Sequence, residues 1–232
     1  MTLILAVETS TRYGGVALMD NREIVGKVDF SPQKPASEML LPSIKEILEC
    51  NHLSIQKVEM IAVSNGPGSF TGLRVGLTTA KTLAFFLEIP VVSIPTLDGI
   101  ALPVISNSSP VLVIQDARKG EVYFSLYSTD SIPNPETPYA VGRIQQAFEK
   151  ISICKIVGDA LYKYEKDTNT LKHKNAEIVS EKYWRPDPVN IGHLACSGQY
   201  EALSGDDLFK LTPIYVRLPE AEIQWRKKQL SE

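Results

Sequence analysis

The sequence is poor in the residues that build metal sites and disulfide frameworks. It holds three cysteines and three histidines in 232 residues. These are Cys50, Cys154, Cys196, His52, His173 and His193. The cysteines are odd in number and widely spaced, and no histidine has another about three to five residues away, as helical zinc and iron motifs require. We therefore expect reduced thiols, no metal site and no metallopeptidase activity.

Long apolar runs and an excess of basic residues are also lacking. No apolar run approaches the roughly 20 residues that span a bilayer, and Glu8 interrupts the apolar N-terminus, which has no basic segment before it. The net charge is −3, so the chain lacks the basic surface of a protein that holds nucleic acid alone. We expect a soluble, cytoplasmic protein without membrane contact.

What is present is a regular alternation of strand and helix patterns. "LILAV", "GVALMD" and "REIVGKVDF" predict a β-meander, and amphipathic spacing predicts helices from Ser37 to Cys50 and from Ser69 to Glu88. After the polar loop "SNSSP", a hairpin turning at Lys119–Gly120 opens a less regular β/α half, in which "VNIGHLACSGQYEAL" reads as a helix. We predict domains over residues 1–106 and 107–232.

The stretch "SNGPGSFTGLRVGLTTAK" is rich in glycine but fits no phosphate-binding motif. Both the P-loop and the dinucleotide-binding fingerprint require glycine where Thr71 stands. In a helix, Gly72 and Gly76 lie one turn apart and permit a close approach. Each glycine costs a helix about 1 kcal/mol against alanine, so a packing gain is expected. Packing inside the domain and packing against another subunit both remain open at this point.

Four motifs, in the right order, resemble the TsaB family, which is also called YeaZ. They are "SEMLLPSIKEIL", "GPGSFTGLRVG", "QDARKGEVY" and "PIYVRLPEAE". The resemblance implies an α/β, tandem RNase H-like fold of the type shared by actin, hexokinase and Hsp70, with the second half reduced.

The resemblance also implies a function and a set of partners. It implies a non-catalytic subunit that dimerises with TsaD and assembles with TsaE. The assembly transfers threonylcarbamoyl to N6 of the adenosine adjacent to the anticodon of tRNA. This chain is then expected to have no cofactor of its own, with ATP and metal on the partner subunits. It is expected to contact tRNA only within the complex and to form a homodimer when alone.

In this resemblance the two N-terminal helices carry the contact with TsaD, centred on Gly72 and Gly76. The residues expected to bind the partner are Ser37, Leu40, Leu41, Ile44, Thr71, Gly72, Arg74, Val75, Gly76 and Thr79. A consequence is that Gly76→Leu should leave the monomer folded and abolish TsaD binding.

A nucleotide-dependent small-molecule kinase or ATPase of the same fold is the alternative. Glu8, Thr9 and Ser10 would then lie in the phosphate-facing first turn, with Asp116 as a second carboxylate. A shared fold does not carry the activity with it. The family often has aspartate where Glu8 stands, which weighs further against nucleotide use. The basic tail at Trp225–Lys228 is either an auxiliary tRNA contact or a helix that docks on its own domain.

Overall fold

The computed structural model describes residues 2–106, 109–129, 132–149, 154–164, 176–217 and 229. Within them the strands, in chain order, are β1 Leu3–Glu8, β2 Gly15–Asp20, β3 Glu23–Asp29, β4 Met60–Gly66, β5 Val91–Pro95, β6 Val111–Asp116, β7 Glu121–Tyr127, β8 Ala140–Arg143, β9 Lys155–Val157, β10 Glu177–Ile178 and β11 Ala202–Leu203. The helices are α1 Ala36–Cys50, α2 Phe70–Leu87, α3 Thr96–Ala101, α4 Ile144–Phe148, α5 Leu161–Tyr164 and α6 Pro188–Ala195.

The strands form two sheets with the same internal order. The first runs β11-β5-β4-β1-β2-β3 and the second β10-β9-β6-β7-β8. Each sheet contains a three-stranded antiparallel meander. The first strand of the meander pairs on its other side with a parallel strand, which in turn pairs with a second parallel strand. This repeated meander, with parallel strands added beside its first strand, confirms the tandem RNase H-like fold. The second copy is reduced, because β9 and β10 have three and two residues.

Helices cover the first sheet on both faces. Strand β1 is buried along its whole length, as expected for a central strand with packing on either side. Leu3, Leu5 and Val7 face the cluster that includes α1 and α2, whereas Ile4 and Ala6 face the cluster that includes α6. The chain therefore returns to the first sheet near its end, through α6 and the short strand β11. A third cluster joins α3, α4 and α5 to the second sheet.

Several predicted elements have different ends in the structure. Helix α1 begins at Ala36 after Pro35, so Ser37 lies inside the helix and does not cap it. Helix α6 ends at Ala195, and residues 202–203, which the pattern assigned to the same helix, form a strand. The predicted turn at Lys119–Gly120 is confirmed, with positive φ at Arg118, Lys119 and Gly120. The tail Trp225–Lys228 lies outside the described residues, as does His173.

None of the helices within the described ranges has the length and apolar character needed to cross a membrane.

Candidate functional site: the outer face of α1 and α2 and the buried carboxyl groups

The N-terminus of α2 is built around the turn that follows β1. The Ser69 side chain caps the helix by accepting a hydrogen bond from the Gly72 amide at 3.3 Å. The amide of Ser69 donates to the carbonyl oxygen of Ser10 at 2.7 Å. A Cβ on Gly68 would overlap that same carbonyl oxygen. The absence of a side chain at Gly68 therefore lets the start of α2 approach the chain's own backbone at Ser10.

Gly72 and Gly76 are buried against Thr9. A Cβ at Gly72 would overlap the carbonyl oxygen of Thr9, and one at Gly76 would overlap its hydroxyl oxygen. The Thr9 hydroxyl also donates to the Gly72 carbonyl at 2.9 Å. This corrects the expectation that the two glycines lie at the centre of an intersubunit contact, because the element that approaches them belongs to the same domain.

The remaining predicted partner residues divide by burial. Leu40 and Ile44 are buried in the core beneath α1, so they face away from any partner. Val75 and Thr79 are half-buried, and Ser37, Leu41, Thr71 and Arg74 are exposed. The sequence analysis missed Phe85 and Phe86, which are 56% and 78% exposed near the end of α2. Leu41 on α1 is 61% exposed.

Late motif residues pack against the start of α2 and the hairpin of the second sheet. The Tyr215 ring stacks on Phe70 with centroids 4.8 Å apart, and its hydroxyl accepts from Arg74 Nε at 3.1 Å. Arg217 donates to the carbonyl of Ala117 at 2.8 Å and pairs with Glu121. The glycine-rich motif, "QDARKGEVY" and "PIYVR" therefore meet in space, although they are far apart in sequence.

At the end of β1, Glu8 accepts hydrogen bonds from both donors of Ser10. Its Oε1 accepts from the Ser10 amide at 2.6 Å and from the Ser10 hydroxyl at 2.5 Å. Oε2 is buried without a hydrogen-bond partner among the described residues. Burial raises the pKa of Glu8 to about 7, and the bonds from Ser10 act in the opposite direction.

Two further carboxylates come from the second half. Asp159 is buried and accepts from the Asp116 amide at 2.8 Å. Burial raises its pKa to about 7, against the effects of that bond and of the nearby Arg12. Asp116 is only half-buried, accepts from the Arg118 amide at 3.0 Å and lies 3.5 Å from Lys163 Nζ. Of the four predicted nucleotide residues, Glu8 and Ser10 are buried and bonded to each other, and Asp116 donates its amide to Asp159. The Thr9 side chain packs under α2.

The described cysteines and histidines form no metal-binding group. No cluster of three or more histidine, cysteine or acidic side chains placed to hold a metal occurs in the described ranges. Cys50, Cys154 and Cys196 are free thiols, in agreement with the expectation from their spacing.

Comparisons with known proteins place the whole chain in one family. A family model described as "TsaD: tRNA N6-adenosine threonylcarbamoyltransferase" matches residues 30–180. The "tRNA threonylcarbamoyladenosine biosynthesis protein TsaB" of Buchnera aphidicola subsp. Baizongia pistaciae is 30% identical over 226 residues, which cover 92% of this chain and 97% of that protein. This chain belongs to the TsaB (YeaZ) family. The Bacillus subtilis TsaB protein is 27% identical over 238 residues, covering 97% and 99% of the two chains.

A solved structure of the family agrees with the fold. "YeaZ from Pseudomonas aeruginosa" superposes with a TM-score of 0.72 at 22% sequence identity, covering 93% of this chain and 100% of that one. The resemblance to the TsaB family that the four motifs suggested is therefore confirmed, both in sequence and in fold.

Proposed function

We propose that this chain takes part in forming threonylcarbamoyladenosine in tRNA, as a non-catalytic subunit that binds TsaD through the outer face of α1 and α2. The observation that carries the proposal is that this family member exposes large apolar side chains on those two helices. Leu41, Phe85 and Phe86 are all more than half exposed. Exposed large apolar side chains are frequent at protein–protein interfaces, and here they occur on both helices.

The two phenylalanines are suited to anchor such an interface. Their rings lie edge to face with centroids 5.9 Å apart, in the last turn of α2. Aromatic side chains that become fully desolvated are frequent hot spots in complexes. Helix α2 is held from below by its contacts with Thr9 and by Ala80 and Ala84 in the core. A partner helix that packs on its outer side would therefore meet a rigid surface.

The hydrogen bonds made by Ser10 and Thr9 in the turn after β1 support the non-catalytic role. In an enzyme that binds a phosphate at this turn, the Ser10 amide and hydroxyl would have to be available to the ligand. Here both donate to Glu8. Thr9 is engaged with α2. We accordingly assign ATP and metal to the partner subunits and none to this chain. The proposal extends to assembly with TsaE, to tRNA contact within the complex, to a homodimer of the lone chain and to a cytoplasmic location.

The test measures TsaD binding and tRNA modification with a matched pair of variants. Phe86→Glu places a charge on the proposed contact, and Ile24→Glu places the same charge on a 57% exposed side chain of the edge strand β3. We expect Phe86→Glu to weaken TsaD binding by at least about tenfold and Ile24→Glu to leave it unchanged. In a mixture with TsaD, TsaE, threonylcarbamoyl-AMP and tRNA, modification should fall in parallel. Equal binding by both variants would refute the assigned surface.

A nucleotide-dependent kinase or ATPase is the second candidate. It is favoured by one observation: Asp159 accepts from the Asp116 amide and lies close enough to Asp116 and Glu8 for both carboxyl groups to raise its pKa. ATP turnover by the lone chain that is lost in Glu8→Gln would support this candidate. Silence of the lone chain, with modification only in the full mixture, supports the subunit role.

A further inference from the structure

Two arginines from distant parts of the chain lie on the same tyrosine ring. The Cζ atom of Arg12 is 4.8 Å from the centroid of the Tyr13 ring, and the Cζ atom of Arg185 is 4.7 Å from it. Both arginines are exposed. Like charges repel, so the ring that attracts both guanidinium groups holds them closer than they would otherwise lie.

The tyrosines extend this arrangement into the second half. The Tyr162 ring lies 5.7 Å from Tyr13, and its hydroxyl accepts from Arg185 Nε at 2.9 Å. The Arg185 guanidinium is also 5.5 Å from the Tyr162 ring. Beneath them, Tyr162 packs edge to face on Trp184, which is buried and donates to the Val179 carbonyl at 2.7 Å. The exposed groups are thus fixed on a packed base.

Three basic side chains, Arg12, Lys163 and Arg185, and three acidic ones lie at or near this surface. Lys163 follows Tyr162 directly and is exposed. The nearby acidic groups are Glu181, which interacts electrostatically with Arg185, Asp116, which pairs with Lys163, and the buried Asp159. Among the described residues, no carboxylate lies within ion-pair distance of the Arg12 or Arg185 guanidinium. The two guanidinium groups interact with Asp159 and Glu181 only at longer range, and neither forms a contact ion pair within the described ranges.

We propose that Arg12, Tyr13, Tyr162, Lys163 and Arg185 form a surface that binds single-stranded RNA, here called the Tyr13–Arg185 surface. Guanidinium groups bind phosphate oxygens through paired N–H donors, which suits an RNA backbone. The exposed guanidinium groups that lie over the tyrosine rings offer their outer faces to unpaired bases. An acidic peptide would use the charges and leave these faces unused. The proposal rests on the proposed function only in identifying the natural RNA as tRNA.

The test uses the full chain and a fluorescently labelled, single-stranded RNA of about 12 nucleotides, a length within the span that single-strand sites cover. Binding is followed by anisotropy over a series of salt concentrations. The double variant Arg12→Ala/Arg185→Ala removes the two guanidinium groups. The double variant Arg22→Ala/Lys57→Ala removes the same charge from exposed positions elsewhere and serves as the matched control.

We expect the first double variant to bind the RNA at least about tenfold more weakly, with a salt dependence flatter by about 1.4 in log–log slope, as the loss of two phosphate contacts predicts. The control should change affinity by less than about twofold. Arg12→Lys/Arg185→Lys, which keeps the charge and the fold, should fall between them, because lysine lacks the planar donor pair. Equal losses in the two alanine variants would overturn the proposal.

Two competitors decide the class of ligand. Unlabelled RNA should displace the probe, whereas poly-glutamate should not do so at equal charge concentration. Displacement by poly-glutamate would reassign the surface to an acidic protein. Displacement of the probe by ATP, at the concentration at which unlabelled RNA displaces it, would reassign the surface to a free nucleotide. Either result overturns the RNA assignment.

The same variants separate this inference from the proposed function. In the mixture with TsaD, TsaE and tRNA, the double variant should raise the KM for tRNA while TsaD binding stays intact. Normal KM with normal modification overturns the RNA surface and leaves the subunit role standing. If the lone chain binds RNA but does not support tRNA modification when it is mixed with TsaD and TsaE, the subunit role is overturned and the RNA surface is retained.

Discussion

The hydroxyl group of Thr9, just after the central strand β1, occupies the space into which a side chain on Gly76 would project. A Cβ at Gly76 would overlap that oxygen, and one at Gly72 would overlap the Thr9 carbonyl oxygen. The hydroxyl also donates to the Gly72 carbonyl at 2.9 Å. Helix α2 can approach the end of β1 this closely because both positions lack a side chain. The packing gain that offsets two helical glycines lies inside the domain.

This relationship predicts that Gly76→Leu destabilises the monomer. We expect the free energy of unfolding to fall by at least about 3 kcal/mol, because the obstructing atoms belong to a residue fixed in the turn after β1. Urea unfolding followed by circular dichroism measures it. Thr78→Leu, at an exposed position of the same helix, is the control and should change stability by less than about 0.5 kcal/mol. A stable Gly76→Leu chain that fails only to bind TsaD would restore the expectation drawn from the sequence.

The sequence predicted those helices and strands whose residue pattern lies within one short segment. Helix α2 was expected over Ser69–Glu88 and spans Phe70–Leu87, since Ser69 caps its start and Glu88 adopts a left-handed conformation at its end. Strand β11 was missed because two residues that pair with β5 carry no periodic signal. The return of α6 to the first sheet was not predictable either, because it depends on contacts between distant segments.

The candidate site was predicted less well, for the same physical reason. Spacing showed that Gly72 and Gly76 admit a neighbour, but the neighbour is Thr9, more than 60 positions away in the chain. Spacing also did not reveal Phe85 and Phe86, which the fold leaves exposed near the end of α2. The stacking of Arg12 and Arg185 on one ring has no sequence signature.

The buried carboxyl group of Glu8 predicts a stability that falls as the pH rises. Its pKa is about 7 in the folded chain against an ordinary value of 4.5. Between those values the folded state binds more protons than the unfolded state, so the free energy of unfolding decreases with increasing pH. For this group alone, the loss between about pH 5.5 and about pH 7.5 amounts to about 2 kcal/mol. Asp159, with a pKa also raised to about 7, acts in the same direction.

Glu8→Gln tests this dependence, because the amide oxygen can still accept from Ser10 while the titration is lost. Urea unfolding at both pH values should show the smaller pH dependence in the variant. Asp207→Asn, at a half-exposed carboxylate that pairs with Lys210, serves as the control and should keep the dependence of the unmodified chain. A Glu8→Gln chain with an unchanged pH dependence would mean that Glu8 titrates normally.

Asp98 joins three tyrosine hydroxyl groups and should therefore be a major determinant of stability. Its carboxylate is buried and accepts from Tyr127 at 2.6 Å and from Tyr139 and Tyr200 at 2.8 Å each. These donors come from β7, from the segment before β8 and from the segment before β11. Asp98→Ala leaves three phenol groups without this acceptor, and we expect it to cost about 4 kcal/mol in unfolding free energy.

Removing one donor at a time gives a reference value for the loss of unfolding free energy expected in Asp98→Ala. Tyr200→Phe deletes one hydrogen bond and keeps the ring, so about 1–2 kcal/mol should be lost. The two variants are compared by urea unfolding under the same conditions. If Asp98→Ala costs no more than Tyr200→Phe, the three hydrogen bonds do not act together on one carboxylate in solution.

The three thiols should react at clearly different rates, because they differ in exposure and because burial raises the pKa of Cys154 and of Cys196. Cys50 is exposed in the last turn of α1. Cys154 is buried, and burial raises the pKa of its thiol to about 11. Cys196 is half-buried, donates to the Asn21 carbonyl at 3.1 Å and also has a pKa raised by burial. Since the thiolate is the reacting species, one fast equivalent is expected with a chromogenic disulfide at neutral pH.

That fast equivalent should disappear in Cys50→Ser, while in denaturant all three thiols of the unsubstituted chain should react at once. The comparison reports on the core of the second half, because Cys154 lies in the cluster that joins α3, α4 and α5 to the second sheet. Fast reaction of a second thiol in the native Cys50→Ser chain would mean that this cluster opens readily. Slow reaction limited by unfolding would show that the reduced second copy of the fold is as firmly closed as its packing implies.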